Sequence, residues 1–195
     1  MTFTQRIMGV FRLSGDTFED IEADKGATGQ AAIVVFVVAL LSGIGAYVNS
    51  SAVIDMSSVM GSLQSFDMAS TGSPLGAFMN EFVGAFVAWF VWALMTFLIG
   101  GKLFGGDTNI GEMLRVIGFA QAPRLLAVFS FIPCIGFILV VAGWMMALIA
   151  TVIAIQRGTD LDSFKSFGAV ILSFIAVLIV NLFVLPPITR ALFGA

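Results

Sequence analysis

Two ionisable side chains, Glu81 and Arg124, fall inside apolar stretches of this 195-residue chain. Ionisable groups within a bilayer are costly, and they face a bundle interior, a partner or a pathway. By helical rise Glu81 lies about 8 Å below the outer boundary of the hydrocarbon, and Arg124 about 16–18 Å above the inner one. Both then sit in the outer half, and an ion pair joining two spans is the first expectation. A substrate or proton site is the sharper alternative, and a Glu81 that meets lipid headgroups alone is the third. Next to Arg124, Gln121 and Pro123 make a polar knot. Pro123 has no N–H for the carbonyl of Phe119 and should kink its helix. Gln121 and Arg124 are placed to satisfy the backbone groups so freed, so the knot can be simple kink repair.

Other chemistry is hard to find. The chain has no histidine, which excludes catalytic histidine and histidine-ligated metal or haem. Cys134 is the only cysteine and lies in the apolar turn Ile132-Pro-Cys-Ile-Gly136, where a buried thiol is expected rather than a reactive one. Phe104-Gly-Gly-Asp107 lacks the first glycine of the intramembrane aspartyl-protease motif. Lys102 is followed by Leu103, so there is no phosphate-binding Walker loop, and no Gly-x-Ser-x-Gly elbow occurs. Asp107 and Glu112 border one loop without a second acidic cluster. The expectation is a non-enzyme with no catalytic, cofactor-binding or metal residues and no cofactor.

The elements that position Glu81 and Arg124 follow from the charge-free stretches Gly26–Ile54, Phe82–Gly101, Leu125–Gln156 and Ser166–Thr189. A spanning helix needs about 20 apolar residues to cross about 30 Å of hydrocarbon. As one helix, Leu125–Gln156 would run about 48 Å, too long for one pass and too short for two. Pro133 and Gly136 mark a turn in its middle. Two passes fit if the first begins near Met113, which places Gln121, Pro123 and Arg124 inside the membrane. The expected fold is an all-α integral membrane protein forming one domain over residues 1–195. Its five spans are expected at about 31–48, 76–99, 113–132, 136–155 and 168–185. Ala39, Gly43 and Ala46 give the first span a close-packing stripe. Trp89 and Trp92 lie within the second, Asn181 is a lone amide in the fifth, and Pro186-Pro187 ends it. Between the first two spans, Val53, Met56, Met60 and Leu63 recur at helical spacing, as for a separate helix in the interface.

Before the first span, residues 1–26 read as two short amphipathic interfacial helices. Phe3, Ile7, Val10 and Phe11 share a face, with Gln5, Arg6 and Arg12 away from it. Ser14-Gly15 breaks the run, and Thr17 with Asp20 fits a capping box for the second helix. Asp16, Asp20 and Asp24 line another face, either a solvated one or a contact surface for a partner. With no short apolar core here, no cleavable signal is expected, and the first span should direct insertion.

Topology follows from the cations. In a five-span arrangement Arg6, Arg12, Lys25, Lys102, Arg115, Arg157 and Lys165 share one side, and Arg190 lies on the other. Positive charge marks the cytoplasm, so the N-terminus is expected inside and the C-terminus across the inner membrane. A net charge of −3 with scattered cations gives no nucleic-acid footprint.

At Gly118-Phe-Ala-Gln-Ala-Pro123 the chain resembles the bacterial and archaeal branch of the Yip family, five-pass proteins named for interaction with Ypt/Rab GTPases. Further blocks agree in order over residues 3–180. They are Leu13-Ser-Gly-Asp-Thr-Phe18, Ala27-Thr-Gly-Gln-Ala31, Trp89-Phe-Val-Trp92 with Gly100-Gly-Lys-Leu-Phe-Gly-Gly106, Gly111-Glu-Met-Leu-Arg115, and the region of Trp144. Gly15 stands where a proline is common in the family. The resemblance implies five spans, a cytoplasmic N-terminus and a role in trafficking and organisation through oligomers and GTPase contacts. This chain lacks the long cytosolic N-terminal region of many eukaryotic relatives, which speaks against GTPase binding. The leading expectation is a membrane scaffold that oligomerises or binds other membrane proteins. A small-solute or ion transporter using Glu81 and Arg124 is the alternative, and a membrane-shaping protein the third.

Overall fold

The computed structural model describes residues 1–60, 73–132, 135–179 and 183. The expected Leu63, Pro133, Cys134, Asn181, Pro186, Pro187 and Arg190 features lie outside the described residues. Among the described residues all regular structure is helical: α1 (Phe3–Phe11), α2 (Gly15–Ala23), α3 (Ala27–Met60), α4 (Pro74–Thr96), α5 (Ile110–Ala120), α6 (Ile135–Gly158) and α7 (Ser163–Ile179). A π-helical segment, Phe97–Leu103, continues α4, and a 3-10 segment, Ala122–Phe131, continues α5.

Local sequence explains the starts and stops. Thr2 and Gln5 close a capping box on α1, and Asn109 and Glu112 close another on α5. Ser73 caps α4 with Pro74 in its first turn, where a missing N–H costs nothing. The α1–α2 break turns on Leu13, whose φ of 56° is left-handed. The Ser14 N–H bonds back to the Gly9 carbonyl at 3.0 Å, closing the end of α1. The expected Thr17–Asp20 capping box does not form: Ser14 is the cap residue of α2, Thr17 is buried, and Asp20 is engaged elsewhere.

Among the described residues, three helices are long and apolar enough to cross a membrane: Ala27–Val48, Pro74–Leu103 and Ile135–Gly158. Only 17% of the Pro74–Leu103 window is buried in the chain, and large side chains such as Phe36, Phe90, Phe137, Ile138 and Ile175 point outward. An apolar exterior on apolar helices is the signature of lipid contact. The helix of the first span does not stop at Val48. As far as Met60 it is one helix with α3, where a separate interfacial helix was expected.

The expected third span is not one regular helix. α5 supplies 11 residues and the 3-10 segment 10 more. Pro123 lies in the first turn of the 3-10 segment, so the chain changes pitch at the proline instead of merely bending. The Gln121 N–H reaches the Gly118 carbonyl at 3.3 Å, the tighter pattern already in place before Pro123.

Small residues set the packing within the chain. A Cβ on Gly118 would lie 2.8 Å from Ala31 Cβ and 3.1 Å from Trp89 Nε1, so α3, α4 and α5 meet there. Gly143 comes so close to the Pro123 carbonyl that an added Cβ would stand 2.6 Å from it. Gly158 meets Met113, which makes α6 antiparallel to α5 and its 3-10 continuation. Gly43 of the expected stripe packs on Phe78 of α4. That stripe is used inside the protomer.

The tightest core lies where α1 and α2 sit against α3, α5 and α6. Val10, Phe18, Ile21, Ala31, Met113, Ile117 and Ile155 are all fully buried. The apolar face of α1 thus meets the bundle through Val10, Ile7 and Phe11, with Phe3 against Phe119 at 6.1 Å between ring centres.

Candidate functional site

Two polar constellations stand out, one in each half of the molecule. The first fixes the N-terminal helices. Arg6 is only 2% exposed, although the sequence placed it on the polar side of a surface helix. Its Nε donates to Asp20 Oδ2 at 2.8 Å, one terminal nitrogen to Asp24 Oδ2 at 2.7 Å and the other to Gln30 Oε1 at 2.9 Å. The Met1 ammonium donates to the other Asp20 oxygen at 2.9 Å. Burial works against the Arg6 charge, but the hydrogen-bonded carboxylates of Asp24 and Asp20 hold its pKa above the ordinary value. The Met1 ammonium and Arg6 hold Asp20 below the usual carboxylate range, and Arg6 does the same for Asp24.

Arg115, also buried, reaches from α5 to the end of α2 and donates through Nε to the carbonyls of Ile21 (3.2 Å) and Glu22 (3.1 Å). A guanidinium at a helix C-terminus satisfies orphan carbonyls and complements the dipole. Arg157 at the end of α6 pairs with Glu19. Its guanidinium passes beside Gly15, where an added Cβ would stand 2.8 Å from Nε and be accommodated by a shift of this flexible side chain. Glu22 is left between acids: burial first, then Glu112 and Asp160, push its carboxyl up to about 7. Of the three acids singled out in the sequence, Asp20 and Asp24 are tied to Arg6, and Asp16 is exposed.

The second constellation is a cavity of about 380 Å³ among α3, α4, α6 and α7, within the size range of small-molecule sites. Glu81 and Arg124 both line it, as does Gln121. They do not close into the expected direct ion pair; the Arg124 guanidinium donates instead to Gln121 Oε1 at 3.0 Å. The polar knot is therefore a side-chain pair at the change of pitch, turned toward the cavity. Asn80 and Ser42 add polar groups to the lining.

All three tryptophans of the chain, Trp89, Trp92 and Trp144, form walls of this cavity. Trp89 is oriented by its indole N–H, which donates to the Leu114 carbonyl at 3.0 Å. Trp92 Nε1 is buried without a hydrogen-bond partner among the described residues. The sequence marked Trp89 and Trp92 as interior to a span and, with the region of Trp144, as blocks of the family resemblance, not as a shared wall. Nothing in its periodicity brings Trp144, 52 positions after Trp92, to the same wall. Among the described residues, no group of three His, Cys, Asp or Glu side chains is arranged to hold a metal ion.

An all-helical bundle with membrane-length apolar helices and an apolar exterior defines an integral membrane protein. The Yip1 domain model matches residues 8–185, and the chain belongs to the Yip1 domain family. No curated protein and no solved structure matches it.

Proposed function

We propose that this chain is a non-enzymatic, five-pass organiser of the cytoplasmic membrane that presents its N-terminal helices as a rigid platform to partner proteins. The supporting observation is the pair of buried arginines. Arg6 and Arg115 lock α2 to the bundle from two directions, and α2 then carries exposed Asp16 and Glu19 at a fixed position. Such fixing is unnecessary for a solvated tail. The small residues expected to serve oligomer contacts pack within the protomer, so the reading relies on partner proteins more than on self-association. GTPase binding is not part of it.

Five passes are supported by length. α5 and its 3-10 continuation together rise about 35 Å, enough for about 30 Å of hydrocarbon. The basic turns also gather at one end: Gly100 and Gly106 approach Thr159, Gly158 approaches Met113, and Arg157 and Arg115 meet α2. With that end cytoplasmic, the N-terminus is inside and the C-terminus outside. In a Cys134→Ser background, an impermeant thiol reagent applied to intact cells should label Ser70→Cys and Ala195→Cys and spare Ser14→Cys. Labelling of Ser14→Cys would overturn the topology.

The organiser reading is tested by photo-crosslinking from positions 16 and 19 in cells, followed by charge reversal at both. Discrete adducts that vanish in Asp16→Lys/Glu19→Lys are expected. Adducts that are absent, or indifferent to the reversal, would sink it.

A second reading, small-solute or ion passage, is favoured by one observation: Arg124 and Glu81 open onto a cavity. Uptake that depends on Arg124 in reconstituted vesicles would support it over the first.

A further inference from the structure

We propose that the cavity is a binding site for one zwitterionic phospholipid with a primary ammonium headgroup, its phosphate at Arg124 and its ammonium at Glu81. The inference is independent of the platform, which shares no residue with the cavity. Opposite charges on one lining, not closed on each other, ask for a ligand that carries both. Among the described residues Arg124 makes one side-chain hydrogen bond, to Gln121, and its planar fork suits a phosphate bidentately. Glu81 is the exposed one of the two and belongs at the rim, where an ammonium would sit.

The rest of the lining is apolar. Trp89, Trp92, Trp144 and Phe174 supply walls that a free hydrophilic zwitterion would leave poorly covered, whereas the glycerol and first methylenes of a lipid fit them. Trp92 Nε1, buried and unpartnered among the described residues, offers a donor to an ester or phosphate oxygen. The surrounding exterior is apolar, with Ile171, Ile175 and Leu178 outward on α7, so the acyl chains can lie along it in the bilayer.

Because every tryptophan lines the cavity, ligand entry can be read by fluorescence. The whole chain in a mild non-ionic detergent is titrated with brominated phosphatidylethanolamine, and separately with brominated phosphatidylglycerol. Saturable quenching by the ethanolamine lipid is expected, at least tenfold tighter than by the glycerol lipid. Arg124→Gln should weaken both lipids at least tenfold. Glu81→Gln should weaken the ethanolamine lipid several-fold while leaving or improving the glycerol lipid. If Arg124→Gln does not yield folded protein, Arg124→Lys and Glu81→Gln carry the test, with loss of the preference between lipids as the expected result. Unsaturable quenching equal for both lipids and all variants would mean simple partition into micelles and overturn the proposal. Displacement by free phosphoethanolamine at concentrations as low as those of the lipid would also overturn it, since the site would then take a soluble zwitterion.

Discussion

The platform and the cavity use the same residue types to opposite ends. At the platform, Arg6 meets two carboxylates and an amide, and Arg115 meets two carbonyls. In the cavity, among the described residues, Arg124 meets one amide oxygen, and Glu81 lines the same space without closing a salt bridge to it. A buried charge with its hydrogen bonds filled is structure, because removing either side strands the other. A charge facing an open volume has capacity left over. The contrast teaches that hydrogen-bond completeness, more than burial or depth, separates a structural arginine from a candidate binding arginine.

The sharpest way to break this comparison is to delete a platform arginine. Arg6→Ala should give the largest drop in thermal midpoint, because it removes a side chain only 2% exposed together with its bonds to Asp20, Asp24 and Gln30. Arg12→Ala, an exposed control, should change the thermal midpoint in detergent very little. Equal effects would erase the distinction between the two cations.

Next in size is Arg115→Ala. Losing hydrogen bonds from a charged donor should cost about 1.5–3 kcal/mol and free the end of α2. Hydrogen exchange should then accelerate in residues 18–24 before it does in α6. Uniform acceleration along the chain would show that Arg115 supports the bundle and not the platform specifically.

A pH series sharpens the platform further. Glu22 has a folded pKa of about 7 against an ordinary 4.5, so folding favours its protonated form. Its contribution is complete below 4.5 and is lost as pH rises through about 7. Asp20 and Asp24 are depressed below 3.8, so theirs is present above that value and lost as pH falls. Stability should therefore peak in mildly acidic solution. Glu22→Gln should flatten the alkaline limb, read as thermal midpoints between pH 5 and pH 8. An unchanged limb would remove Glu22 from the account.

The smallest effect belongs to the cavity. A double-mutant cycle of Glu81→Gln and Arg124→Gln should give a coupling smaller than that of a closed ion pair, at most about 1 kcal/mol, because the two charges share one lining without a salt bridge. A coupling well above 1 kcal/mol would mean that the pair closes in the membrane and that the cavity is filled by its own side chains.

Much of the architecture was legible in the residues. Long charge-free runs can only be helices in lipid, since every backbone group must bond within its own segment. Hence α4 and α6 fell close to expectation, Pro74–Thr96 against 76–99 and Ile135–Gly158 against 136–155. The two N-terminal helices were readable from periodicity, and their break lies at Arg12–Ser14, just before the expected Ser14-Gly15. Helical rise put Glu81 and Arg124 at similar expected depths, and it is the packing of the helices that sets both on one cavity lining.

Direction around the helix axis was decided only by the tertiary structure. Whether Arg124 turns to Glu81 or to Gln121 depends on the change of pitch at Pro123, and a hydropathy pattern carries no information about that change. The covering of α1 by the bundle depends on α5 and α6, more than ninety residues further along the chain. Its pattern says only that one face is apolar, not whether lipid or protein covers it. Arg115 capping α2, and three tryptophans converging on one cavity, come from contacts between distant segments whose spacing obeys no local period. Composition and periodicity determined which segments are helical and which are apolar, because those are local free energies. Which polar groups are completed and which are left open is a property of the packed whole.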